Sequence, residues 1–192
     1  MEKLLLKKFI SEKVALPERE WEEIQLIFKP LQIKTGTLLL AEGKICRHLY
    51  FLNSGLLRWF FWRDGLDRTK YFLYENYVFT AIQSFSNQTP ATENIEALED
   101  CDLLAAHYDD ADRLYDQCPA WRRFVRQLIQ EVQVYTEEIL TEFQTETAEA
   151  RYRRLLAEEP ELVRRVPLKH LASYLGIAPE SLSRIRKMAS RT

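Results

Sequence analysis

The side chains best suited to a chemical task lie near the end of the 192-residue chain, and they are of types that recognise DNA. Five side chains predicted to face outward from one helix are of types that can reach base edges and phosphates in the major groove: Glu180, Ser181, Ser183, Arg184 and Lys187. Arginine pairs with guanine, and glutamate accepts a hydrogen bond from the amino group of cytosine. Four neighbouring residues could contact phosphate oxygens: Lys169, His170, Ser183 and Lys187.

These residues are predicted to lie on a helix-turn-helix. Pro167 can begin a first helix, Gly176 can supply the left-handed turn that ends it, and Pro179 can begin a second helix. Basic two-helix segments are often only solvated surfaces. Here the small Ala172, the turn residue Gly176 and the apolar Ile177 all occur at the spacing that this motif needs, which favours DNA binding. The predicted inner residues are Leu171, Ala172, Leu175, Ile177, Leu182, Ile185 and Ala189.

The charge distribution supports this interpretation, although the total charge does not. A net charge of −2 argues against a nucleic-acid partner when the chain is taken as a whole. Residues 151–192, however, carry ten basic and four acidic side chains, a balance of +6, whereas residues 1–150 carry −8. We expect the acidic part to be repelled by DNA, which would turn the basic tip toward it.

The preceding sequence predicts an α+β protein with an antiparallel β-roll or jelly roll. Residues 2–28 have a helical pattern with Pro17 at a helix start, and short β-rich runs follow between turn residues. Asp64-Gly65 predicts a hairpin, because such a turn needs positive φ. Aromatic residues at 59–62 and 71–74 could line an apolar pocket or belong to an ordinary core. The predicted strands are residues 32–34, 37–41, 48–52, 56–62, 69–74, 94–98 and 102–106.

A short helix is predicted over residues 109–117, and Pro119 begins a longer one. Apolar residues in the longer helix repeat at spacings of 3, 4, 3 and 4, which is typical of a coiled-coil dimer interface. The same residues could instead pack the helix on its own β-domain. Because the pattern covers only two to three heptads, a dimer built on it alone would be weak. This apolar seam consists of Val125, Leu128, Val132, Tyr135 and Ile139.

Several other classes of protein are disfavoured. The cysteines, Cys46, Cys101 and Cys118, are odd in number and lack a CxxC pair, so neither a disulfide framework nor a zinc site is indicated. Their spacing fits a reducing cytoplasm. The N-terminus lacks a signal-peptide pattern, and no run of about 18 apolar residues predicts a membrane span. A jelly-roll metalloenzyme is the catalytic alternative. With three histidines and no His-x-His, we expect neither a metal site nor an enzyme.

The chain resembles the Crp/Fnr superfamily of bacterial transcription regulators over essentially its full length. The motifs that carry the resemblance are GTLLLAEG at 36–43, HLYFLNSGLLR at 48–58 and NIEALED at 94–100, followed by the long helix and LASYLGIAPESLSRIRK at 171–187. The resemblance implies a cyclic-nucleotide-binding-like sensor domain over 1–117, a dimerisation helix over 118–146 and a DNA-binding domain over 147–192. It also implies a homodimer on a near-palindromic DNA site, with Glu180, Ser181 and Arg184 as the base contacts and RNA polymerase as a candidate partner.

The sequence also departs from the family's pattern. Thr80-Ala81 and Ala91-Thr92 stand where cyclic-nucleotide-binding members carry Gly-Glu and Arg-Ser/Thr, which argues against cyclic AMP or cyclic GMP as effector. No cysteine precedes Cys46, which argues against an iron–sulfur cluster, and His48 alone is weak evidence for haem. No cofactor is expected, and the effector is unknown.

Two further departures concern the DNA-binding region. Pro179 replaces an arginine that cyclic-AMP-type members carry, so one base contact is missing. No β-hairpin wing is evident after the second helix. The alternative function is therefore a ligand-sensing module with a vestigial DNA-binding domain.

Overall fold

The computed structural model describes residues 2–189 and the side chains of residues 3–188, so that Arg191 and the side chain of Ala189 lie outside the described part. Two helices, α1 (Glu2–Lys13) and α2 (Glu18–Ile27), precede a β-roll. Pro17 caps α2, and residues 14–17 divide the helical stretch predicted for 2–28. The strands are β1 (Phe28–Ile33), β2 (Leu38–Leu40), β3 (His48–Ser54), β4 (Leu57–Arg63), β5 (Leu66–Leu73), β6 (Tyr77–Phe79), β7 (Asn94–Ala97) and β8 (Cys101–His107).

The strands form two four-stranded antiparallel sheets, which confirms the predicted α+β jelly-roll architecture. The first sheet has the order β1-β8-β3-β6, and the second has the order β2-β7-β4-β5. Asp64 and Gly65 both have positive φ and connect β4 to β5 in the predicted hairpin. Sequence reasoning missed β6 and the short helix α3 (Ile82–Asn87), because neither segment has a strong periodic pattern.

Helices cover one face of the first sheet, and the second sheet covers the other. Along β3, Leu49 and Phe51 belong to a core shared with α1, α2 and the later helices, whereas Tyr50 and Leu52 belong to the core between the sheets. Successive side chains of a strand point to opposite faces, so both faces of β3 are buried. This explains why residues 48–52 form a continuous apolar run instead of an alternating one.

The chain continues as six helices to the end of the described residues. They are α4 (Tyr108–Gln117), α5 (Pro119–Thr145), α6 (Ala148–Glu158), α7 (Pro160–Arg165), α8 (Leu168–Leu175) and α9 (Pro179–Ala189). The helix α5 begins at Pro119, as predicted, because the proline has no amide to leave unpaired in the first turn.

A third core holds the C-terminal helices together and includes residues of the β-roll. Leu171, Ala172, Leu175 and Leu182 are buried in it, as the helix-turn-helix pattern predicts. Leu56, which lies between β3 and β4, is fully buried in the same core. Phe72, Tyr74 and Leu98 pack against this core from the β-roll. The C-terminal helices therefore share a hydrophobic core with the roll.

Candidate nucleic-acid interface and adjoining cavity

The helices α8 and α9 form the predicted helix-turn-helix. Gly176 ends α8 in the left-handed conformation with φ 72°, and its amide donates to the carbonyls of Ala172 and Ser173. The Ile177 side chain is partly buried beneath the turn, and Leu182 of α9 is fully buried. These contacts fix α9 against α8 and determine which residues of α9 face outward.

The outward face of α9 carries the residues predicted to contact DNA bases. Glu180 and Arg184 are exposed, and Ser181 is half-buried between them. The Arg184 guanidinium donates to the Ser181 hydroxyl at 3.2 Å, which holds the two side chains on one face. Lys187 is exposed one turn further along, and Ser183 is half-buried on an adjacent face. The structure thus brings the predicted base-contacting set onto one solvent-accessible surface.

The residues predicted to contact phosphate do not all share this surface. Lys169 is exposed on the first turn of α8. His170, one residue later, is buried, and its ring contacts the Arg58 guanidinium of β4. This burial corrects the prediction for His170, because its side chain faces the β-roll and is not accessible to a phosphate in this arrangement. No local pattern could reveal this contact, since the two residues are 112 positions apart.

Further polar contacts attach α8 to strand β5. The Ser173 hydroxyl accepts a hydrogen bond from the Thr69 amide at 2.9 Å and donates to the Asp67 carbonyl at 3.0 Å. The ring of the next residue, Tyr174, lies 5.5 Å from the Phe72 ring, centroid to centroid. The helix α8 is therefore docked on the β4–β5 hairpin.

An arginine of α7 forms a second bridge to the roll. Arg165 donates to both carboxylate oxygens of Glu75, at 2.8 and 2.9 Å, and to both oxygens of Glu99, at 3.0 and 2.7 Å. Close by, the Tyr74 hydroxyl donates to the Glu159 carboxylate at 2.6 Å. Paired, charge-assisted hydrogen bonds of this kind are stronger and more directional than neutral ones.

The apolar seam of α5 partly faces the chain's own β-roll. Val125 and Leu128 pack against the core formed by the first sheet and its covering helices. The Tyr135 ring lies 6.1 Å from the Tyr71 ring of β5, and burial together with neighbouring tyrosines raises the pKa of its hydroxyl. The alternative that α5 packs on its own domain therefore holds for this edge of the helix.

A second apolar stripe on α5 is exposed. It consists of Ile129, Leu140 and Phe143, and about half of each side chain is accessible to solvent. At 3.6 residues per turn, this stripe is rotated by roughly 80° from the apolar seam. The helix thus has one broad apolar arc, of which one edge contacts the roll and the other edge has no contact with the roll's core clusters.

A cavity of about 1310 Å³ lies between α5, α3 and the β-roll. Its apolar lining includes Tyr71, Leu73, Phe79, Phe85, Leu128 and Tyr135. Trp59 and Tyr71, two of the aromatic residues predicted to lie in a pocket or a core, line this cavity. Trp59, Leu73 and Phe79 also belong to the core between the sheets. Ile129 of α5 also lines the cavity.

The cavity offers no unpaired cation for an anionic ligand among its lining residues, all of which lie in the described part of the chain. Lys70 is the single basic lining residue, and its amino group donates to the Glu93 carboxylate at 2.5 Å. The second carboxylate oxygen of Glu93 accepts from the Trp59 indole at 2.5 Å. Ala81 and Ala91, which stand at the departures noted in the sequence, are buried in the cavity wall.

The remaining titratable groups form no further site in residues 2–189. The three cysteines are buried and free, and burial raises the pKa of Cys101 to about 11 and also raises the pKa of Cys118. The rings of His48 and His107 lie 5.2 Å apart, but the described residues contain no cluster of three metal-ligating side chains. None of the described helices combines the length and apolar composition of a membrane span.

Comparisons with known proteins agree with this architecture. Residues 30–118 match the family model of the cyclic nucleotide-binding domain. No curated protein sequence matches the chain significantly. The catabolite activator protein of Thermus thermophilus is 22% identical, with a TM-score of 0.59, over 92% of this chain and 85% of that one.

Two further solved structures superpose more closely. A transcriptional regulator assigned to the Crp/Fnr family from Eubacterium rectale is 18% identical with a TM-score of 0.72, over 90% of this chain and 83% of that one. The c-di-GMP-responsive regulator CLP of Xanthomonas campestris is 16% identical with a TM-score of 0.72, over 91% and 92% of the two chains. Residues 30–118 thus match the cyclic nucleotide-binding domain, and the chain as a whole has the fold of the solved Crp/Fnr-type structures.

Proposed function

We propose that the protein is a sequence-specific DNA-binding transcription regulator of the Crp/Fnr type that binds a near-palindromic site as a homodimer in the bacterial cytoplasm. The observation that carries this proposal is the exposed face of α9, on which Glu180, Ser181 and Arg184 lie together. Lys169, Ser183 and Lys187 are the proposed phosphate contacts. RNA polymerase is a candidate partner, and no catalytic activity is proposed.

Dimerisation is proposed to occur through α5. The exposed side chains of Ile129, Leu140 and Phe143 support this, because burying large apolar side chains against a partner favours association. The outer edge of the apolar seam, including Val132 and Ile139, adjoins this stripe. We expect Leu140→Glu to convert a dimer to a monomer in sedimentation equilibrium. Val134→Glu is the matched control, since Val134 is equally exposed on the opposite side of the helix.

We propose that the effector, if the protein has one, is not cyclic AMP or cyclic GMP. A buried cyclic phosphate needs an arginine's paired donors, and the only basic residue of the cavity wall is already paired with Glu93. Isothermal titration of the purified protein with cyclic AMP should give no saturable heat. Saturable binding of one cyclic nucleotide per chain would contradict this part of the proposal.

The direct test of DNA binding is selection of bound sequences from a random double-stranded pool at a fixed salt concentration. We expect recovery of a near-palindrome whose half-sites lie about one helical turn, ~34 Å, apart. Affinity for the selected site should fall steeply as salt rises, because bound phosphates release counterions.

Repeating the selection with cell extract tests for an effector. Recovery of the palindrome only in the presence of extract would indicate a required ligand. Failure to enrich any sequence under either condition would contradict the proposal and favour the alternative, a ligand-sensing module with a vestigial DNA-binding domain.

A further inference from the structure

Arg58 is a charged side chain buried between the β-roll and the helix-turn-helix, with only 1% of its side chain exposed. Its Nη1 lies 3.1 Å from the carboxylate of Glu96, which is directly opposite on β7. Its Nη2 donates to the Asp67 carboxylate of β5, and Nη1 also contacts the ring of His170 on α8. The guanidinium lies 4.1 Å from the centroid of the Phe60 ring. We call Arg58, Asp67, Glu96 and His170 the coupling cluster.

The coupling cluster is complete only while α8 is docked. Arginine stays protonated in proteins and has no acceptor, so the His170 nitrogen that faces it must be a neutral acceptor. Asp67 and Glu96 lie within the roll, so His170 is the partner of Arg58 that depends on docking. Undocking α8 would remove His170 from Arg58 and would break the hydrogen bonds of Ser173 to Thr69 and Asp67.

We propose that Arg58 is a positioning residue for DNA recognition, which fixes the orientation of α8 and α9 relative to α5 through His170 and Asp67. This inference rests on the proposed function as a dimeric DNA-binding protein. A dimer reaches two half-sites at one defined separation only if both recognition helices are rigidly mounted. A loosely attached helix-turn-helix would lose orientational freedom on binding and would bind the palindrome more weakly.

The coupling cluster also gives docking a pH dependence. His170 is faced by Arg58 from β4 and Asp67 from β5, with Glu96 of β7 beyond Arg58 and Lys169 next to it on α8. Burial, and then the charge of Arg58, lower the pKa of His170 to about 4. Docking is therefore fully favourable above the ordinary histidine pKa of about 6.5. It weakens as the pH falls from there toward 4, because protonation places two cations in contact.

Amide hydrogen exchange tests docking without DNA. The Thr69 amide donates to the Ser173 hydroxyl, so its exchange rate reports whether α8 is docked. We expect exchange at Thr69 to be at least tenfold faster in Arg58→Met than in the wild type, after correction for intrinsic rates. Lys34→Met is the matched control, because Lys34 pairs with Asp100 within the roll, and its exchange at Thr69 should equal the wild-type rate.

Two further variants separate positioning from misfolding. Arg58→Met combined with Asp67→Asn and Glu96→Gln removes every charge that Arg58 neutralises, so the roll should fold while docking is still weakened. In the wild type, we expect Thr69 exchange to become faster near pH 5 than at pH 7, after correction for intrinsic rates. His170→Gln keeps a neutral acceptor, so it should preserve docking at pH 7 and should lack this faster exchange near pH 5. Wild-type pH dependence in His170→Gln would contradict the assignment of His170 as the titrating group.

The DNA measurement uses the selected palindrome with one or two base pairs added between its half-sites. We expect the wild type to prefer the selected spacing at least tenfold. Arg58→Met should lose at least tenfold in affinity at that spacing and bind the altered spacings about equally, with unchanged affinity for a single half-site. An equal loss on every DNA, or wild-type exchange at Thr69, would overturn the proposal. If the wild type binds no DNA while Thr69 exchange responds as expected, the proposed function fails and the positioning role fails with it, although docking itself stands.

Discussion

The helices α8 and α9 belong to one motif but present their polar side chains in opposite ways. On α8, His170 and Ser173 are bonded to the β-roll, and the neighbouring Arg165 of α7 is held by two carboxylates. On α9, Glu180 and Arg184 face solvent. Cations of this basic segment therefore have two roles. The paired Arg165 attaches the segment to the roll, whereas the exposed Arg184 stays accessible to a ligand.

Among the residues compared, the largest loss of stability is expected on substitution of Arg165. Arg165→Ala removes four hydrogen bonds to Glu75 and Glu99 and leaves both carboxylates without the cation. We expect unfolding free energy to fall by about 1.5–3 kcal/mol, the usual contribution of charged hydrogen bonds. Urea denaturation at pH 7 measures this. A loss no larger than that of Arg164→Ala, whose partner Glu161 is exposed on the same helix, would contradict the role given to Arg165.

The opposite pattern is expected at Arg184. Arg184→Ala should weaken binding to the selected DNA by about 1–3 kcal/mol and relax the base preference at one position of each half-site. Its unfolding free energy should change by less than about 0.5 kcal/mol, as for other exposed surface sites. Fluorescence anisotropy with operator variants measures the first change. Unchanged affinity and base preference would show that Arg184 is not a base contact.

The smallest change in stability is expected at an exposed ion pair. Comparing it with a buried pair shows how much of the stabilisation depends on burial. The Lys34 amino group lies 2.6 Å from Asp100, and this hydrogen bond, together with the Thr35 amide and hydroxyl, lowers the pKa of Asp100 to about 2. The stabilisation by this pair is present above the ordinary aspartate pKa and is lost as the pH falls toward 2. Lys34→Ala should raise the pKa of Asp100 in a carboxyl NMR titration without changing the melting temperature at pH 7. A large fall in that temperature would mean that exposed pairs stabilise the roll as strongly as buried ones.

Local patterns predicted the parts of the structure that depend on neighbouring residues. The helix-turn-helix, the Asp64-Gly65 hairpin and the start of α5 at Pro119 follow from turn residues and helical spacing, and all are present. The burial of His170 could not be predicted in this way. It depends on Arg58, whose place in the fold is fixed by strand pairing with Glu96 and Phe72 across long sequence separations.

The apolar arc of α5 shows a second limit of sequence reasoning. Its spacing left open whether the helix packs on the chain's own roll or pairs with a second copy. The answer depends on how α5 is rotated against β5, where the Tyr71 and Tyr135 rings meet. The cavity could not be predicted from the sequence either, because its lining residues come from strands, loops and helices that are far apart in the chain.

The third hydrophobic core limits which segments of the chain can be exchanged with those of a related protein. Leu56, Phe72 and Tyr74 of the roll complete the core of the C-terminal helices, so a cut between α5 and α6 would expose apolar surface on both fragments. A chimaera that exchanges only residues 147–192 with another regulator would inherit a mismatched boundary. Under the proposed function, transfer of a new DNA specificity to this chain therefore calls for substitutions on the outer face of α9, or for a donor segment that carries its own β4–β5 hairpin.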